Sequence, residues 1–225
     1  MKKMRIGGAL GYWGDRTDAL FDLLQGGTLN YVIMDYLAEV TMSILQKQRS
    51  KDSSLGYPHD FVSLVRQALP MLLEKNVRLI TDAGGLNPLG LADALISMAR
   101  ETGYPELKVG VVYGDDLMPK LAEFVRNGIE FRHFDTGASQ NDIPGRILSA
   151  NAYFGAFPIA EALSLGADLV VTGRVNDAAL ALGPMIHEFG WTCDQYDLLA
   201  RGTMAGHLLE CGGQASGGNF NGGWA

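Results

Sequence analysis

Short apolar runs alternate along this chain with longer segments of helical period. Arg5 to Leu10 predicts a first strand, followed by a Gly-rich turn. Thr17 to Gln25 has helical spacing and is stopped by Gly26-Gly27. Tyr31 to Met34 predicts a second strand, and Val40 to Lys51 and Phe61 to Glu74 two helices. A third strand is expected over Val77 to Thr81, then a helix from Leu89 to Glu101. Val109 to Tyr113 predicts a fourth strand, Pro119 to Arg126 a helix, and Ile129 to Phe134 a fifth strand. Ile159 to Leu165 reads as helix, Leu169 to Thr172 as a sixth strand, and Ala178 to Glu188 and Gln195 to Leu209 as the closing helices.

Strands alternating with helices imply βαβ units and a mostly parallel sheet. The runs are apolar on both sides, as in a sheet covered on both faces. The expected fold is therefore α/β: a doubly wound, mostly parallel, Rossmann-like sheet. A TIM barrel is the alternative, but it needs eight β/α units over ~250 residues. Six strands are counted here. Residues 1–225 read as a single domain without internal repeat. Asp135 to Pro144 forms a long polar loop, of the kind that is either functional or mobile. The tail from Gly212 to Ala225 holds six glycines and reads as a loop leading elsewhere, so the chain is expected to be the N-terminal part of a longer protein or assembly.

Three of the strands share one ending. Ile33-Met34-Asp35 runs on to Glu39, Thr81-Asp82 leads into Ala83-Gly84-Gly85-Leu86-Asn87-Pro88, and Thr172-Gly173-Arg174 leads into Val175-Asn176-Asp177. In each, an apolar run gives way to small residues and then to groups that bind ions or move protons. Ligands of open α/β sheets sit at the carboxyl ends of the strands. Asp82 and Asp35 are candidate general bases. Arg174 is a candidate clamp for an anionic group. Gly84 and Gly85 offer backbone N–H groups to an anion, while Asn87, Asn176 and Asp177 are placed to orient a substrate. Glu39 is expected to face inward over the first helical turn, beside Asp35.

Each cluster also has a plainer reading. Asp35 and Glu39 can cap a helix. Asn87-Pro88 is a favoured N-cap and first helical residue. Asn176 or Asp177 can cap the next helix, with Arg174 in an internal ion pair with Asp82. The first turn, Gly7 to Arg16, lacks a usable G-x-G-x-x-G pattern and reads as a tight turn in which Asp15 caps the next helix. His207 and Glu210 share a helix face, a weak metal signal that suits a solvated helix end. His59, His133 and His187 read as structural. Cys211 beside Glu210 is a poorly supported nucleophile.

Composition narrows the partners. Acidic residues number 25 against 18 basic ones, a net charge of −7, with no basic stripe. A nucleic-acid surface is disfavoured, since it must neutralise phosphates. No apolar stretch reaches the ~20 residues of a membrane span. Cys193 and Cys211 have no metal-ligand spacing and read as free thiols of a cytoplasmic protein. No metal is expected from these patterns, except in a weaker option that joins Asp35, Glu39 and Asp82 around a divalent ion. The patterns name no cofactor.

Asp35-Tyr36-Leu37-Ala38-Glu39-Val40-Thr41-Met42, Thr81 to Pro88, Thr172 to Asp177, and Gly206-His207 through Glu210-Cys211-Gly212 into Gly217-Gly218-Asn219-Phe220 together resemble the acyclic terpene utilisation (AtuA) family. The resemblance spans essentially the whole chain and departs at Tyr12-Trp13, where a plainer Gly-rich turn is expected. It implies a catabolic setting in which acyclic terpenoids or branched-chain acids are degraded as CoA thioesters. It supplies no reaction and no catalytic residue beyond the positions named. The resulting expectation is an enzyme acting on a small carboxylate or acyl-CoA by lyase- or hydratase-type chemistry. A non-catalytic ligand-binding or partner subunit using the same crevice is the alternative. Partners are expected to be that small molecule and either further copies of the chain or a C-terminal partner domain.

Overall fold

The computed structural model describes residues 2–139 and 147–216. The sheet has five strands: β1 (Ile6–Leu10), β2 (Tyr31–Met34), β3 (Arg78–Thr81), β4 (Val109–Val112) and β5 (Leu169–Thr172). All pairings are parallel, in the order β1-β2-β3-β5-β4, and the sheet does not close. Among the described residues there are eight α-helices: α1 (Asp18–Gly26), α2 (Glu39–Arg49), α3 (Asp60–Glu74), α4 (Pro88–Glu101), α5 (Leu121–Arg126), α6 (Phe157–Ser164), α7 (Ala179–Phe189) and α8 (Tyr196–Leu209). This is the doubly wound α/β fold expected; an open sheet excludes the barrel.

The period of two along each strand divides the core. Val32 and Met34 of β2 and Leu79 of β3 face one way, where residues of α1, α2, α3 and α4 pack on them. Tyr31, Ile33 and Ile80 face the other way, toward α6 and α7. The division follows the chain's direction. From β1 to β4 each crossover advances across the sheet. The path from β4 to β5 steps back, so a right-handed connection must put α6 on the opposite face.

One expected strand is absent. Residues 129–134 join no strand of the sheet among the described residues; Arg132 makes an isolated antiparallel bridge to Ser139. Glu130, Arg132 and His133 interrupt the apolar run, and Phe134 is exposed, so the segment lacks the two apolar faces of a central strand. The loop expected over 135–144 is described only to Ser139, and the Gly-rich tail, including Gly217-Gly218-Asn219-Phe220, lies outside the described residues. Among those described, no helix is long and apolar enough to cross a membrane.

Candidate functional site

The strand order places three loops side by side. β3 lies between β2 and β5, so the residues that follow these strands share one rim. Thr81 ties β3 to β2 by donating from its hydroxyl to the Met34 carbonyl at 2.8 Å. Asp82 then receives the Tyr36 N–H on Oδ1 at 2.7 Å, and Asp35 receives the Leu37 N–H at 3.1 Å. Arg174 reaches over from β5. Its Nη1 donates to the Leu37 carbonyl at 2.6 Å and lies 4.0 Å from Asp82 Oδ2. Residues 35, 82 and 174, far apart in sequence, thus converge.

Burial governs their charge. Asp35 is 2 % and Asp82 1 % exposed, so both are shut from bulk water. Asp35 is pushed strongly upward, first by burial and then by the Asp82 charge. Asp82 is also raised by burial, but the Tyr36 N–H and the Arg174 cation hold it down. The two carboxyls lie near enough for each to shift the other's acidity. Like charges so close cannot both ionise, and the pair keeps one proton near neutral pH, with Asp35 as the protonated member. Asp82 Oδ2 is buried without a hydrogen-bond partner among the described residues.

Arg174 is the inner wall of a small cavity of about 190 Å³, lined also by Glu39, Met42, Ser43, Ser149, Asn151 and Tyr153. Its guanidinium lies under the Tyr153 ring, 4.4 Å from the centroid, a favourable cation–π distance. The Tyr153 hydroxyl donates to Glu39 Oε1 at 2.7 Å. Arg174 Nη2 sits 3.7 Å from Glu39 and 3.5 Å from Asp177. One cation therefore faces three carboxylates. An arginine so engaged is an organiser of acidic groups, with one of its donors spent on the Leu37 carbonyl.

Asp115 was not anticipated. Its carboxylate is buried and accepts the Arg174 N–H at 2.9 Å and the Asn151 amide at 2.9 Å. A Cβ on Gly173 would lie 2.2 Å from Asp115 Oδ1, so only glycine fits beneath it. Asp115 thereby fixes both the Arg174 backbone and the segment that carries Tyr153. The signal was present: Val109 to Tyr113, then Gly114-Asp115, repeats the ending of the other three strands. No comparable pattern marks Tyr153 or Asn151.

Other expected site residues are occupied elsewhere. A Cβ on Gly84 would meet the Thr172 carbonyl at 2.3 Å, so this glycine lets the loop after β3 close on β5. The Gly85 N–H donates to the Asp82 carbonyl at 3.1 Å and is not free for an anion. Asn87 caps α4, accepting the Gly90 N–H at 3.0 Å, while its amide donates to Ser54 O and Leu55 O at 3.0 and 3.3 Å. Asn176 accepts the Ala178 N–H at 3.2 Å at the entry to α7. Glu39 corrects its expectation: α2 begins at Glu39 itself, whose side chain does not face inward but is 82 % exposed, 3.7 Å from Arg174. The three acids Asp35, Glu39 and Asp82 do not form a metal-ligand group, and none of three or more occurs among the described residues.

The remaining candidates settle as follows. Asp15 closes the first turn by accepting the Gly11 N–H at 3.1 Å, while the position before α1 is Thr17. Cys193 and Cys211 are both free thiols. Burial and then Glu210 push the Cys211 thiol up to about 11, so it stays protonated and is a poor nucleophile. His207 lies 3.8 Å from Glu210 as a partly solvated pair. His187 bridges Ser164 and Arg78.

A family profile described as acyclic terpene utilisation family protein AtuA matches residues 4–224. The chain belongs to that family. No curated protein matches it, and no solved structure does.

Proposed function

We propose that this AtuA-family chain is a catabolic enzyme of acyclic terpenoid or branched-chain acid degradation that acts on a small carboxylate or acyl-CoA by lyase- or hydratase-type chemistry. The observation that carries the reading is the Asp35–Asp82 pair, two buried carboxyls held at one rim by the Leu37 and Tyr36 N–H groups, with both acidities weakened by burial. Removing water from a β-hydroxyacyl group needs a base for the proton next to the carbonyl and an acid for the departing hydroxyl. Asp82, the carboxylate member, takes the proton. The electron pair left on carbon forms the double bond as the C–O bond breaks. Asp35 gives its proton to the hydroxyl, which leaves as water. The pair begins and ends with one proton, so the same two groups serve the reverse hydration.

The other residues support this division of labour. Arg174 keeps Asp82 acidic enough to be the carboxylate member. The cavity beside Tyr153, Ser149 and Asn151 receives the substrate, with Asp177 and Glu39 holding Arg174 from its outer side. Gly84, Gly85, Asn87 and Asn176 act indirectly, by fixing the loops. The Tyr153 ring must swing aside for substrate to reach the pair, while Arg174 stays beside Asp82. The test offers the purified chain a branched α,β-unsaturated acyl-CoA in D₂O and follows addition of water and deuterium by mass spectrometry. Asp82→Asn is expected to lower turnover by at least about 100-fold while circular dichroism stays unchanged. Unaltered turnover in that variant overturns the assignment.

The near-complete burial of both carboxyls favours one second reading, a ligand-binding or partner subunit in which the pair is structural. Saturable calorimetric binding of the same acyl-CoA, without water or deuterium uptake, distinguishes it.

A further inference from the structure

Helix α8 carries apolar side chains on two opposite faces. Leu199 and Leu209 pack on the second core. Gly202 and Gly206 let the helix press close to Leu182, Trp191 and Ala178. On the outer side, Tyr196, Ala200, Met204 and Leu208 recur every four residues and are all exposed. Residues four apart lie on one helical face. Single exposed apolar residues are ordinary, but a helix with one face in the core should present polar groups on the other.

We propose that this stripe binds a second copy of the chain, with the two α8 helices antiparallel about a two-fold axis near Gly202. The sequence is self-complementary in that register. Tyr196 meets the second copy's Leu208, and Ala200 leaves room for the second copy's Met204. Asp197 meets the second copy's His207, which lies on the same face, and each contact occurs twice, as a two-fold interface requires. Parallel pairing loses both matches: Met204 would meet Met204, and Asp197 would meet Asp197. The helix has 14 residues and is therefore roughly 21 Å long. One such pair is smaller than a standard stable interface, so the dimer depends on concentration.

Sedimentation velocity of the whole chain, from low to high micromolar concentration, tests this. A monomer–dimer equilibrium is expected. Met204→Glu is expected to remove it without lowering the melting temperature of the monomer at low concentration, because Met204 is 63 % exposed. Asp197→His alone and His207→Asp alone set like groups against each other and weaken association by about tenfold, a shift of about 1.4 kcal/mol; the double swap restores it. A monomer at every concentration overturns the proposal. So does a dimer untouched by Met204→Glu, and so does a double swap that restores nothing.

Discussion

The loop after β3 and the loop after β5 look alike in sequence and do different work. Both follow a four-residue buried strand, and both carry glycine, a charged residue and an asparagine. After β3, the residues beyond Asp82 are spent on architecture: Gly84 fits under Thr172, and Asn87 caps α4 and pins Ser54 and Leu55. After β5, Arg174 turns back across the rim and touches what the other two loops present. Distance from the strand end separates the two roles. Groups within two residues of the strand, Asp35, Asp82 and Arg174, are aimed into the rim by the strand itself. Groups farther on, Asn87 and Asn176, sit at the entries to the next helices: Asn87 satisfies a free N–H of α4, and Asn176 accepts the N–H of Ala178 just before α7.

The strongest way to break this comparison is Arg174→Met. It leaves Asp82 as a buried carboxylate without its cation, a loss of about 3 kcal/mol. For a domain of this size that lowers the melting temperature by about 6–12 °C. Adding Asp82→Asn to Arg174→Met is expected to recover part of the loss in a urea melt. A melting temperature unchanged by Arg174→Met makes the ion pair energetically idle.

Asn87→Ala probes the other loop and has a smaller effect. The cap and the hydrogen bonds to Ser54 and Leu55 together contribute about 1–2 kcal/mol. Turnover per folded molecule is expected to stay within about threefold of the parent, well under 1 kcal/mol of barrier. Loss of turnover at unchanged stability would mean that the loop after β3 carries chemistry beyond Asp82, and the distinction between the loops would fail.

Much of this was legible in the residues. The five strands and their helices follow from apolar period and from breakers such as Gly26-Gly27 and Asn87-Pro88, which act locally. The false strand at Ile129–Phe134 passed the apolar test because β-branched and aromatic residues suit strands, yet its fate depended on finding a neighbour. Strand order was not legible. Nothing local says that β5 inserts between β3 and β4, and that insertion alone brings Arg174 to Asp82. Tyr153 was hidden for the same reason: it comes from a connection whose path is set by Asp115 and Asn151, a long-range contact. Glu39 was misplaced because it opens α2 itself, where its side chain stands 82 % exposed beside Arg174 instead of facing inward.

The remaining loop, after β2, gives an effect that builds with pH, and its sign is the informative part. In the folded protein Asp35 keeps its proton to far higher pH than in the unfolded chain, where the ordinary value is 3.8. Above that value the unfolded state has released a proton that the folded state still binds. Stability from this group is therefore greatest in acid and falls as pH rises, until Asp35 ionises in the folded state as well; the slope is at most about 1.4 kcal/mol per pH unit. Asp82, raised less, adds a fall of the same sign at the acid end. Asp35→Asn has no proton to lose, can still accept from the Leu37 N–H, and can donate to Asp82. Its melting temperature is expected to match the parent near pH 4 and to exceed it increasingly toward pH 9. Parallel curves for the two proteins across that range would mean that Asp35 ionises at an ordinary pH, and the one-proton pair, with the acid–base chemistry built on it, would be lost.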